Sequence, residues 1–159
     1  MIPFLRFRVL CCLLIGLTFV GCRREMTDKE RLEQIYGKMK KVVPVAGTVT
    51  INGIAQPGVV ITLHNADGTS RIPIRPAITD DDGKYGFTTY LAADGIEPGK
   101  YKLTFQWLEI VRDKKLGNQM QGPDKLKKAF DDPVKSPFSF EVEEDSPQSE
   151  LDFDLKKNG

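Results

Sequence analysis

The stretch "VVPVAGTVTINGIAQPGVVITL", residues 42–63, decides the fold. Its odd positions begin Val43, Val45, Gly47, Val49 and Ile51, and the even positions between them are mostly small or polar. Successive side chains of an extended chain point to opposite faces, so this period-two alternation marks a strand with one buried face. Asn52-Gly53 follows as a hairpin pair, because both residues tolerate positive φ. Pro57-Gly58 opens a second run in which Val59, Ile61 and Leu63 share a face, and Asp67-Gly68 marks the next turn.

The same alternation returns along the chain. Tyr85 and Phe87 face one way, as do Tyr101, Leu103, Phe105 and Trp107. Phe138, Phe140 and Val142 repeat the pattern, and so do Leu151, Phe153 and Leu155. With a strand expected near 72–79, about seven short strands are separated by Gly, Pro and Asp turns. No long helical pattern interrupts residues 42–157. This spacing predicts an all-β, antiparallel, seven-stranded sandwich.

The segment "VAGTVTINGIAQPGVVITL" resembles the opening of transthyretin-like, carboxypeptidase-regulatory-like domains. "TDDDGKYGF" and "PGKYKLTF" are similar to two later hairpin elements of that family. Near the end, Phe130, Asp132, Pro133, Ser136 and Pro137 match a run that precedes two closing strands in small lipoproteins abundant in planctomycete bacteria. The resemblance covers nearly all of residues 42–157. It implies a transthyretin-like (prealbumin- or Ig-like) sandwich. Its motifs are turn and core residues, so it specifies a fold and no activity.

The N-terminal residues carry an address. Arg6 and Arg8 precede the apolar run "VLCCLLIGLTFVG", residues 9–21, and Cys22 follows. A basic start, a short apolar core and a small residue before the cut describe a secretory signal. The apolar core is shorter than the roughly 20 residues a membrane span needs. "FVGC", Phe19 to Cys22, resembles a bacterial lipobox, with Phe19 where leucine is usual. The resemblance implies cleavage before Cys22 and acylation of that residue, and multiple acyl chains give stable anchoring. Arg23 stands where an aspartate would favour inner-membrane retention, which leans the expectation toward the outer membrane. Removing residues 1–21 of 159 would leave 138, enough for one domain and a tether.

Cys11 and Cys12 lie within the signal, and Cys22 would carry lipid, so the exported chain would have neither disulfide nor free thiol. Residues 22–41 form the lipidated end and a charged tether. Thr27 and Glu30 have capping-box spacing, and Leu32, Ile35 and Met39 recur at helical intervals. The tether is read as a solvated spacer, helical or flexible, weakened at Gly37. The 23 basic and 22 acidic residues nearly balance, which gives no electrostatic case for nucleic acid.

Candidate chemistry is sparse. The run Asp80, Asp81 and Asp82 before Gly83 is the weak calcium candidate. Placing Gly83 at the sixth position of an EF-hand loop leaves Ile78 first and Thr89 last, which are not ligands. Aspartate beside glycine is the composition of a tight turn, and that reading is preferred. His64, the one histidine, is placed at an outward position of the second strand, with no Gly-x-Ser-x-Gly nucleophile motif in the chain. A zinc site needs more His or Cys than remain after export. The closing "LKKNG" lacks the end of transthyretin-like hydroxyisourate hydrolases. No cofactor is implied, and the chain is read as non-enzymatic.

Residues 108–137 form a long irregular connection, read as a solvated crossover between sheets, with a partner- or glycan-binding lobe as the alternative because long loops often carry function. "PDKLKKAF" reads as a short helix. Lys125, Lys127 and Lys128, with Arg112, Lys114 and Lys115, offer a positive patch. Tyr90 and Trp107 flank the region, either as a sugar-stacking surface or as core or rim residues. The expectation is a lipid-anchored envelope protein with a structural, adhesive, protein-binding or glycan-binding role. A calcium-binding or small-ligand-binding accessory module is the alternative.

Overall fold

The computed structural model describes residues 26–112 and 118–157. Residues 1–21, expected to be a signal, lie outside the described residues with Cys22, Lys114 and Lys115, and so does the side chain of Arg112. Among the described residues, one helix, α1 (Asp28–Tyr36), leads into nine strands. These are β1 (Ala46–Ile51), β2 (Ile54–Ala55), β3 (Val59–Asn65), β4 (Ala77–Ile78), β5 (Lys84–Gly86), β6 (Gly99–Arg112), β7 (Gln119–Asp124), β8 (Ser139–Val142) and β9 (Phe153–Leu155).

The strands form two sheets. β1 carries β2 and β5 antiparallel and β9 parallel. The second sheet runs β4-β3-β6-β7, with β8 also on β6. The architecture is therefore mostly β and sandwich-like, with three corrections to the expectation. Nine strands replace seven. The strand expected near 72–79 shrinks to Ala77–Ile78, because Pro73 and Pro76 supply no backbone N–H for a ladder. The assembly is not wholly antiparallel: the chain returns to the start of β1 before Gln148, then runs alongside it in the same direction.

The alternating faces become the core. Val45, Val49, Ile51, Val59, Ile61 and Leu63 are buried together with Phe87, Leu103, Phe105 and Leu155. Phe105, Phe138 and Phe153 form a triangle with ring centroids 5.0 to 5.6 Å apart, which joins β6 to β9 across the two sheets. Edge-to-face geometry adds about 1 kcal/mol per pair beyond area burial. At Gly47 a Cβ would stand 2.1 Å from the Leu151 carbonyl oxygen, so only glycine lets the C-terminal segment lie against β1.

β6 is the longest strand and is bonded along both edges. Residues Tyr101 to Trp107 pair with Asn65 to Val59 on one side. On the other, the amide of Leu103 donates to Phe138 O, that of Phe105 to Phe130 O, both at 3.0 Å, and that of Trp107 to Asp124 Oδ1 at 2.9 Å. The connection expected to be irregular is thus partly strand and partly an edge cover. β6 continues to Arg112 and returns as β7 through a hairpin with a bulge between Leu108 and Ile110. The helix expected in "PDKLKKAF" does not form. Lys127 and Lys128 both take positive φ, 53° and 63°, which ends any right-handed helical run. The Asp124 carboxylate holds this turn through the amides of Leu126 and Lys128.

The chain has two poles. Val43 bridges Ile96, and β6 begins three residues later, so the tether enters where β6 starts. At roughly 3.3 Å per residue, the 14 residues of β6 span about 46 Å, carrying the β6–β7 hairpin to the opposite pole.

Replacing Asp124 by Ala removes the acceptor for three amides at once. Urea unfolding should show a loss of about 2–3 kcal/mol for Asp124→Ala, and less for Asp124→Asn, which keeps one acceptor oxygen.

Candidate functional site

The aspartate run builds a turn. Asp80 Oδ1 accepts from the amides of Asp82 at 3.0 Å and Lys84 at 2.8 Å, and Gly83 sits at φ 75°. Asp82 lies 3.9 Å from Lys84 Nζ, and Asp81 is exposed. Among the described residues no group of three or more His, Cys, Asp or Glu is placed to hold a metal ion.

His64 is buried, not outward-facing in solvent as expected. Its Nε2 lies 2.9 Å from Thr104 Oγ1, which is also buried. The nearby loop is close-packed: a Cβ on Gly68 would stand 2.3 Å from Pro133 O. Burial, and secondarily the Arg71 charge, pushes the His64 pKa below its ordinary value, so the ring is neutral.

Trp107 and Tyr90 are not brought together. Trp107 faces the core beside Val59, and Lys125 Nζ stands 4.5 Å above its ring, a cation–π contact. Lys125 is therefore engaged at the β6 edge. Lys127 and Lys128 are exposed on the turn that follows.

Tyr90 belongs to the other pole. The Asp94 carboxylate gathers the amides of Thr89, Tyr90 and Leu91 at 2.8 to 3.0 Å and so fixes the loop after β5. Here the tether docks. α1 begins with the expected capping box, Thr27 with Glu30, and ends at Gly37, φ 77°. Tyr36 meets the Tyr90 ring edge-on, centroids 5.5 Å apart. The Lys40 amide donates to the Tyr90 hydroxyl at 3.1 Å, and Lys40 Nζ pairs with Glu97 at 2.8 Å. That hydrogen bond raises the Lys40 pKa. Leu32, Met39, Val42 and Leu91 line a hollow of about 320 Å³ between helix and loop. Tyr36 and Lys40 thus tie the end of the charged segment to the domain, while α1 itself stays solvated and buries no residue.

Beside this contact lies an open groove of about 670 Å³, between α1, the proline-flanked segment before β4, and the loop after β5. Tyr36, Tyr90, Ile74, Ile78 and Thr88 line it. Arg75 is its one charged lining residue, and it has no acidic partner among the described residues. Volumes of 300–1,000 Å³ are typical of ligand sites. Sequence reasoning singled out Tyr90, but beside residues 108–137 and not here, and it did not single out Tyr36, Arg75 or Thr88. The signal for Arg75 was present in "IPIRP": prolines on both sides prevent a continuous strand and leave the arginine outside the ladder.

Comparison of the chain with known protein families, with curated proteins and with solved structures finds no match. No helix among the described residues is long and apolar enough to cross a membrane.

The neutral His64 has a pH consequence. Its folded pKa is depressed, so the stability it supports is present above the unfolded value of about 6.5 and is lost as pH falls through the lower folded value. Denaturation midpoints measured between pH 8 and pH 4 should drop below about 6.5 in the wild type, with that component absent in His64→Gln.

Proposed function

We propose that the chain is a lipid-anchored, non-catalytic protein of the bacterial envelope, carrying a transthyretin-like sandwich that binds a protein or glycan through the groove beside its tether. The anchor follows from the basic and apolar N-terminal run and from "FVGC". The location, the outer membrane, follows from Arg23 after the acylated residue.

The observation that carries the reading is that the tether helps to build the groove. Tyr36 comes from the segment that links Cys22 to the domain, and it lines the groove with Tyr90. Tyrosines present a large face at low entropic cost and recur at binding surfaces. A non-catalytic role accords with how the side chains are used. The carboxylates of Asp80, Asp94 and Asp124 serve backbone amides, and the neutral His64 is closed off against Thr104.

Expression of full-length Cys22→Ala, with radiolabelled palmitate and membrane fractionation, tests the anchor. The wild type should incorporate label and sediment with outer membranes, and the variant should lose the label and the lipobox cleavage that depends on Cys22. Equal label in both proteins, or an uncleaved chain without lipid in the wild type, contradicts the proposal.

A further inference from the structure

The backbone around the groove has unused hydrogen-bonding groups in strand register. Phe87 donates to Val45 O, and Ala46 spends its amide on Gln148 O and its carbonyl on Leu151 N–H. Gly86, opposite Ala46, therefore turns its amide and carbonyl away from β1 and into the groove. Thr88, two residues on, continues that register and lines the same space. Across the groove Ile78 is in the same state. Leu103 and Phe105 donate away from β3, so the β3–β6 bonds fall at Val60 and Thr62, and Val60 has none for Ile78. Thr79, by contrast, donates to Val59 O. The groove thus lies between two free sheet edges, β4 and β5, where the two sheets diverge from the Asp80 turn.

We propose that this groove is a strand-addition site for an extended segment of a partner protein that carries a carboxylate. Main-chain bonds to Gly86, Thr88 and Ile78 would provide affinity, as at other exposed sheet edges. The charge requirement comes from Arg75, a guanidinium with no acid in the lining. Its planar fork suits a carboxylate held by two bonds. Tyr36 and Tyr90 cover the side chains of alternate residues. Neither edge carries the lysine that commonly blocks such pairing at its groove-lining positions. The inference rests on the groove being the binding surface of the protein.

The test uses the folded full chain and a blocked peptide of alternating Thr and Val with one central Glu, alongside a counterpart with Lys in place of that Glu. A chitotetraose probe is run in parallel. Amide hydrogen exchange read by NMR should show the Glu peptide slowing Gly86, Thr88 and Ile78 by at least ~10-fold. The Arg75→Glu variant should bind that peptide about 10-fold more weakly or worse and should prefer the Lys peptide. Ile78→Pro removes an amide that bonds nothing in the fold, so its melting temperature should stay near wild type while peptide binding falls. If Ile78→Pro unfolds the domain, the Arg75→Glu comparison still decides. Peptide binding with no protection of these amides, or equal binding of the Glu and Lys peptides, overturns strand addition. Chitotetraose shifting Tyr36 and Tyr90 while these amides stay free overturns it too, yet leaves the groove as a glycan site. No response to any probe overturns both readings of the groove.

Discussion

Everything in this fold leans on β6 being hydrogen-bonded along both edges. β3 takes one edge through seven consecutive residue pairs. The other would be an unprotected row of amides in the middle of the chain, and an exposed edge of that length is a template for aggregation. Residues 124–142 cover it instead. They do so with two different kinds of acceptor, strand-like carbonyls at Phe130 and Phe138 and a carboxylate at Asp124. Because Phe138 also packs on Phe105 and Phe153, the same segment that satisfies the edge closes the core between the sheets.

The aspartates work on the backbone. Each of several carboxylates substitutes for a missing backbone acceptor: Asp80 in the turn before β5, Asp94 in the loop after it, Asp124 at the β6 edge, Asp132 near Val134. At the C-terminus Asp154 is held at about 2 by Lys156, the Gly53 amide and the Thr50 hydroxyl. A carboxylate bonded in this way organises a turn.

The sequence made the strands legible where one face was buried. Val43 to Ile51 and Val59 to Leu63 fall on their expected faces because alternation is a direct record of burial. It was silent on pairing partners, so the parallel return of β9 beside β1 had no signal except Gly47, whose need for a bare α-carbon appears only once Leu151 is beside it. The hairpin beyond Trp107 was hidden by a different cause. Its residues are exposed on both faces, as at Glu109, Ile110 and Gln121, and a two-sided exposed ribbon has no burial pattern to read. His64 misled because strand alternation assigns the face away from the core correctly but cannot show a loop packed over that face. The groove was only half legible: Tyr90 is an aromatic in a loop, whereas Arg75 and Tyr36 reach it from distant segments.

The groove and the β6 edge cover lie at different places on the molecule, and this separation shapes the account. The long connection between β6 and β8, read from sequence as a solvated crossover with a binding lobe as the alternative, is largely part of the fold. The free edges lie across the sandwich, at β4 and β5, next to the tether. Native-state hydrogen exchange of the Leu103, Phe105 and Trp107 amides tests this division most directly. Exchange of all three only through global unfolding, with the same free energy as the β3 core, is the predicted result. Fast exchange of Phe105 and Trp107, independent of denaturant, would show that residues 124–138 detach readily and that the connection is a mobile functional loop after all.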